Sequence, residues 1–366
     1  MSVVVVCAAS ATAHASLSTR AAAPRACLPA PTVPGVTEGR SLPGTVAPAT
    51  GTLRAQLLLV HAADASPDES TAAPELTLEA AAEWFRTVSY GRLDLQVDTL
   101  ARWLPLPGRS TEYAADAERY LRDAVAAADP FVDFAEVDVV YIAPSSNTPE
   151  TRTSAILNGF GVRADGKDVR YWVPLEAGFA DQSDVWLLLH ETGHLLGLPD
   201  LYSRGAASSF HRWDLMAARY PSELLAWHRW KLGWLDPSQI VCVTGRASLT
   251  TTLTTVERPG GRKAVFVKRG STVYAVEVRS RAGYDRTLCA SGVLVSAVDQ
   301  TPFKRAPVRI FSARSDRDPP RRDCAYLWNA PFRAGRALEL PALRVDVLRK
   351  LAGGAYRVRI TATGRG

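Results

Sequence analysis

Between residues 190 and 200 the chain reads His-Glu-Thr-Gly-His-Leu-Leu-Gly-Leu-Pro-Asp, a run that constrains backbone and chemistry together. Histidines four residues apart on a helix project from one face, so His190 and His194 can reach a single Zn²⁺. Glu191, one residue along, lies beside the open coordination position as a general base. Val185, Leu188, Leu189 and Leu196 give this helix an apolar side, and Ser183 or Asp181 is placed to cap it. Gly197 can take positive φ and end the helix, and Pro199 prevents its resumption. The chain must turn there. That turn swings Asp200 back toward the metal as a carboxylate ligand, and three protein ligands leave a fourth position for water. Two histidines and a glutamate at this spacing often arise by chance. The apolar side, the helix stop and the acid agree, and together they point to a hydrolytic zinc site rather than to a buried helix with idle histidines.

His211, His228 and Glu223 are alternative third ligands, and Asp200 is preferred because only it exploits the turn at Gly197. His61, at the end of a buried strand, reads as structural. Asp129, Asp133, Glu136 and Asp138 could hold Ca²⁺, and a solvated loop between helix and strand is the simpler reading of them.

Met216 is one of only two methionines in the chain. It sits in Trp213-Asp214-Leu215-Met216-Ala217, at a distance past the zinc helix that suits the Met-turn of metzincins, whose methionine packs beneath the metal-binding histidines. From Pro221 to Leu235, the residues Leu224, Leu225, Trp227, Trp230, Leu232 and Trp234 form an apolar helix and turn that would close the lower half of the domain. Together HETGHLLGLPDLY, WDLMA, AWHRWKLGWLD and the upstream TVSYGRLDL resemble the immune inhibitor A family of secreted bacterial metalloproteases. The resemblance runs from about Leu53 to about Asp299, where YAVEVRSRAGYD and GVLVSAVD are similar to the strands that follow the family's protease domain. It implies a secreted zinc endopeptidase with a metzincin-like fold, acting on protein or peptide substrates, often made with a propeptide and sometimes binding calcium. Metzincins that use a tyrosine in the transition state place it two residues after the methionine. That position is Ala218 here, and Tyr220 is the candidate in its stead.

The 366 residues, 47% of them hydrophobic, suffice for two domains with real cores. A net charge of +6 with only six lysines, and no basic helix or aromatic-basic module, argues against a nucleic-acid partner. The densest basic run, Lys304 to Arg322, is interleaved with aspartates and reads as an exposed loop. Val3 to Ala9 followed by Ala13-His14-Ala15 reads as the remnant of an export signal, so a secreted, extracellular location is expected. No other apolar run approaches the length of a membrane span. Removing Cys7 with the signal leaves Cys27, Cys242, Cys289 and Cys324, an even set with three pairings, of which Cys289 with Cys324 is expected. Pro24-Arg25-Ala26-Cys27-Leu28-Pro29 loosely resembles the cysteine-switch motif of zinc-protease propeptides, which would make Cys27 a latency ligand. An ordinary linker or a disulfide is the default for it.

The expected class is α+β. Residues 1–15 are expected to form a signal-peptide remnant, 16–52 a flexible linker or short pro-segment, and 53–238 a metzincin-like zinc protease domain with a mixed sheet, zinc helix and Met-turn. Residues 239–366 form an all-β sandwich-like domain. In the protease domain, strands are expected at Ala55 to Val60, Leu93 to Val97, Val137 to Ile142 and Val169 to Val173, with helices at Thr77 to Val88 and Glu112 to Ala128. Ala155 to Val162 or Val169 to Val173 is the expected edge along which substrate adds. The rival to an endopeptidase is a non-catalytic secreted protein that binds partners and keeps zinc as a structural clamp.

Overall fold

The computed structural model describes residues 22–32, 37–42, 44–72, 75–150, 157–158, 160–179, 185–202, 212–217, 222–301, 306–313, 324 and 326–363. The expected signal segment, the capping candidates Asp181 and Ser183, His211, Tyr220 and most of the arginine-rich run lie outside the described residues.

A short parallel pair, β1 (Pro31–Thr32) and β2 (Arg40–Ser41), opens the described chain. It is followed by β3 (Gly51–His61), α1 (Glu75–Val88), β4 (Leu93–Pro105), α2 (Ser110–Ala115), α3 (Ala117–Ala128), β5 (Val139–Pro144) and β6 (Leu157–Asn158). The hairpin β7 (Arg163–Ala164) and β8 (Lys167–Asp168) then leads to β9 (Tyr171–Pro174). These strands form a five-stranded sheet in the order β4-β3-β5-β9-β6, parallel throughout except for β6, the antiparallel edge strand. β6 is thus the edge that the expected range Ala155 to Val162 contains, whereas β9 is interior to the sheet.

Alternation along the strands sorts the side chains between two layers of helix. Leu53, Ala55, Leu57 and Leu59 of β3, with Val139 and Tyr141 of β5, share a core with Ala81, Trp84, Phe85 and Val88 of α1. Leu58, Val60, Val140 and Ile142 point the other way, onto Tyr120, Leu121, Ala124 and Val125 of α3. Strands covered on both faces read as nearly continuous apolar runs, as Leu57 to Val60 does. The first half is therefore an α/β arrangement, with helices crossing over between parallel strands; the sheet is mixed, as expected, through β6, and the mainly parallel order is what departs from the α+β class expected. The single helix expected from Glu112 to Ala128 is also divided. Asp116 leaves helical conformation, and its carboxylate accepts a hydrogen bond from the Arg119 backbone as the cap of α3.

Next come α4 (Val185–Leu195), a 3₁₀ turn at Leu215–Ala217 and α5 (Ala226–Lys231). The remainder is all β: β10 (Ile240–Val243), β11 (Ala247–Leu253), β12 (Ala264–Arg269), β13 (Thr272–Arg279), β14 (Gly292–Asp299), β15 (Val308–Phe311), β16 (Ala337–Leu340), β17 (Leu343–Lys350) and β18 (Tyr356–Ala362). One sheet runs β10-β12-β13-β14-β15 and the other β11-β18-β17-β16. Val265, Val267, Val276 and Val295 of the larger sheet pack on Val345, Val358 and Ile360 of the smaller, which is the sandwich expected. The opposite face of the larger sheet does not meet solvent. Phe266, Ala275, Leu294 and Val298 join the same core as Trp227 of α5 and Leu188 of α4, so the two halves of the chain fold around shared apolar interior.

The segment expected to be a flexible linker is built into the body. Cys27 is disulfide-bonded to Cys242 in β10, and Ala22 also pairs with Cys242. Thr37 and Glu38 are buried, and the Ala47 amide donates to the carbonyl of Leu195 at the end of α4. The composition of this stretch lacks an apolar period because it lies as a strap across other elements, held by a disulfide and by buried polar contacts. The disulfide also removes the cysteine-switch expectation, since Cys27 has no free thiolate to offer a metal. Cys289 and Cys324 form the second disulfide, as expected.

Candidate metal centre

Helix α4 carries the two histidines on buried backbone between β9 and the 3₁₀ turn that holds Met216. It ends at Leu195, and Gly197 takes φ +94, a conformation that L side chains adopt only under strain. A Cβ at Gly197 would also collide with Ser41 Oγ and Val46 of the strap. The turn brings Asp200 back to the histidines. Asp200 Oδ1 lies 3.2 Å from His190 Nε2 and 3.4 Å from His194 Nε2. Among the described residues, this set is the one group of three or more His, Cys, Asp or Glu donors whose ligand atoms converge, all within 4.8 Å of one another.

The donor set fits zinc. Donors bound at about 2.0–2.1 Å in a tetrahedral arrangement stand about 3.3 Å apart, and the two measured separations bracket that edge. His194 Nδ1 lies 2.8 Å from the Leu198 carbonyl, a contact that places the proton on Nδ1 and leaves the Nε2 lone pair for a cation. Asp200 Oδ1 is buried without a well-directed hydrogen bond, as an oxygen reserved for a metal would be. Burial alone would raise the Asp200 carboxyl, but the adjacent imidazoles outweigh it and hold it well below the usual carboxylate range.

Glu191 is buried beside this set, and burial pushes its carboxyl above the ordinary value against the pull of His194 and His190. Trp186 and Tyr202 stand near His190, with ring centroids 5.0 and 6.2 Å from the imidazole. Tyr202, two residues past Asp200, was not singled out by motif reasoning, and its position on the returning turn was the signal available.

Met216 lies beneath the helix. Its Sδ is 2.7 Å from where a Cβ on Gly193 would stand, and its carbonyl accepts a hydrogen bond from Leu201, the neighbour of Asp200. The alternatives for third ligand are placed elsewhere. Glu223 forms a buried ion pair with Arg229, and His228 is enclosed between Glu38 and Asp214. His61 Nδ1 meets the carbonyl of Ala65, a structural contact. Of the four acids considered for Ca²⁺, Asp133 caps the turn at Ala135, Asp138 accepts from the Arg54 amide and pairs with Lys167, and Glu136 faces Arg54; the four, Asp129 included, are not among the described residues that converge as a ligand set. Glu38 was missed because it falls in the stretch read as linker.

No protein-family profile matches the chain, and no curated protein matches it in sequence. Among solved structures it is similar to metalloproteinase-II from Bacteroides fragilis, with 14% identity and a TM-score of 0.29 over 56% of this chain and 58% of that one. The match spans little more than half of that protein's length, and a likeness this slight assigns neither fold nor chemistry.

Proposed function

We propose that the chain is a secreted zinc-dependent endopeptidase that hydrolyses peptide bonds in extracellular proteins. The observation that carries this reading is the convergence of His190, His194 and Asp200 at tetrahedral edge spacing with a buried carboxylate, Glu191, beside them. The motif resemblance to immune inhibitor A proteases supports the same chemistry. Two disulfides fit an oxidising compartment, and no described helix is long and apolar enough to cross a membrane.

Zinc held by these three side chains would polarise the scissile carbonyl and acidify a water molecule. Glu191 accepts the proton of the attacking water on its carboxylate and delivers it to the leaving amine. Asp200 and His194 are fixed for their part by the turn at Gly197 and by the Leu198 carbonyl. Among the described residues β6 is an edge of the five-stranded sheet, and an extended peptide added along it would have its scissile bond oriented by main-chain hydrogen bonds. Met216 and Gly197 support the ligands without touching substrate, and Tyr220 is the proposed transition-state tyrosine.

Digestion of casein or gelatin tests the reading. The parent chain is expected to degrade either protein, to lose the activity on dialysis against a strong chelator and to regain it with zinc. A chain that holds zinc tightly and digests neither is a binding protein with a structural clamp.

A further inference from the structure

The N-terminal strap reaches the metal centre through a chain of buried polar contacts. Glu38 has no solvent exposure. Its Oε1 lies 3.1 Å from His228 Nε2, and its Oε2 accepts from Trp227 Nε1 at 3.1 Å, with Lys231 Nζ 3.9 Å away. On the other side of the same imidazole, His228 Nδ1 lies 2.9 Å from Asp214 Oδ2. Asp214 in turn accepts hydrogen bonds from the Met216 amide at 2.9 Å and the Leu225 amide at 2.8 Å, fixing the turn that carries the methionine. From Met216 two contacts lead to the ligands. Its sulfur fills the space under Gly193, the residue before His194, and its carbonyl holds Leu201, the residue after Asp200.

A buried carboxylate, imidazole and second carboxylate in line are costly to desolvate, and they hold together only while all three remain. A packing role alone would be met by apolar side chains of the same size. The Glu38 hydrogen bond to His228 and the two amides that donate to Asp214 fix distance and direction, which apolar contacts do not. The strap makes two further contacts at the end of the zinc helix: the Ala47 amide bonds to Leu195, and Ser41 and Val46 occupy the space that only a glycine at 197 leaves free.

We propose that Glu38, His228 and Asp214 are positioning residues for the metal centre, and that the part of the strap from Thr37 to Gly51 belongs to the working mature protein and is not a removable pro-segment. This rests on the zinc reading of the site but not on its peptidase activity. Removing Glu38, or cutting away the strap, leaves His228 facing one carboxylate in place of two and frees the Met-turn to shift, and the ligands then loosen their hold on zinc.

The test is the rate at which zinc passes from the loaded, full-length protein to a chromophoric chelator, at a temperature where circular dichroism reports every variant folded. Glu38→Ala and His228→Gln are expected to release zinc about tenfold faster than the parent, the scale seen when support behind a ligand is lost. Glu38→Gln keeps the size of the side chain and removes only its charge, so it serves if Glu38→Ala does not fold. Val295→Ala, in the distant core between the two β-sheets, is the control. It should lower the melting temperature and release zinc at the parent rate. N-terminal sequencing of the zinc-loaded secreted protein should find its first residue before Thr37. Release at the parent rate in Glu38→Gln and His228→Gln, equal acceleration in Val295→Ala, or a zinc-loaded protein that begins after Gly51 overturns the proposal. A parent chain that holds no zinc overturns the metal site and this proposal with it, whereas a parent that holds zinc and digests no protein leaves the relay standing.

Discussion

Gly193 lies inside a helix, where alanine would ordinarily be favoured by about 1 kcal/mol. Its place above the Met216 sulfur explains the glycine, since a methyl group there must displace a fully buried side chain. Gly193→Ala is therefore expected to lower stability by about 1–3 kcal/mol. In a Met216→Ala background the same change should cost much less, a coupling that thermal denaturation of the four proteins measures. Equal costs in both backgrounds would disconnect the two residues. The pattern His-Glu-x-x-His treats position 193 as free, so nothing in the motif announced this constraint. The ligand question is also settled at single residues. Asp200→Ala should lose zinc to a mild chelator, while Glu223→Ala should keep it and instead lose about 3–5 kcal/mol of stability, because it strands the buried guanidinium of Arg229. Zinc analysis after dialysis, beside a melting curve, separates the two; retention by Asp200→Ala would hand the ligand role to another residue.

At the scale of elements, α4 and the turn after it were legible because periodicity, a glycine stop and a proline fall in register. The break at Asp116 was not, since α2 and α3 share one apolar stripe and only the cap divides them. α5 carries the clearest pH signature. Burial works against a charged His228, but Asp214 and Glu38 outweigh it and raise the imidazolium to about 10, with Lys231 as the cation that faces the same carboxylates. The folded value exceeds the unfolded one near 6.5, so this contribution is complete below about pH 6.5 and is lost as pH rises toward 10. Lys231 is lowered by burial to about 8, and Lys263 likewise, so above that pH their release of protons returns stability and masks the loss. The clean window is pH 6.5 to 8. There the stability of the parent should fall relative to His228→Gln with a slope approaching about 1.4 kcal/mol per pH unit. Denaturant melts across that window check it, and parallel curves for the two proteins would show that His228 is not held charged.

Over the whole molecule, a parallel sheet between two helical layers meets a β-sandwich whose larger sheet is buried on both faces, and the strap ties the two halves through Cys27–Cys242. The β-rich half was readable from alternation and turn residues. The merging of the two cores was not, because a strand buried on both sides, such as Ala264 to Val267, carries no sign of which layer covers which face. The strap escaped sequence reading for the opposite reason: it contributes few apolar side chains, and its buried anchors are Thr37, Glu38 and a cystine. All of these layers converge on one small volume around His190, His194, Asp200 and Glu191, and the account stands or falls on what Glu191 does there. The most direct measurement is casein digestion by Glu191→Ala beside the parent, with zinc content determined on the same samples. The account predicts unchanged zinc and folding, with turnover lower by about two to four orders of magnitude, the scale of a lost general base; a variant that retains zinc and digests casein at the parent rate would contradict it.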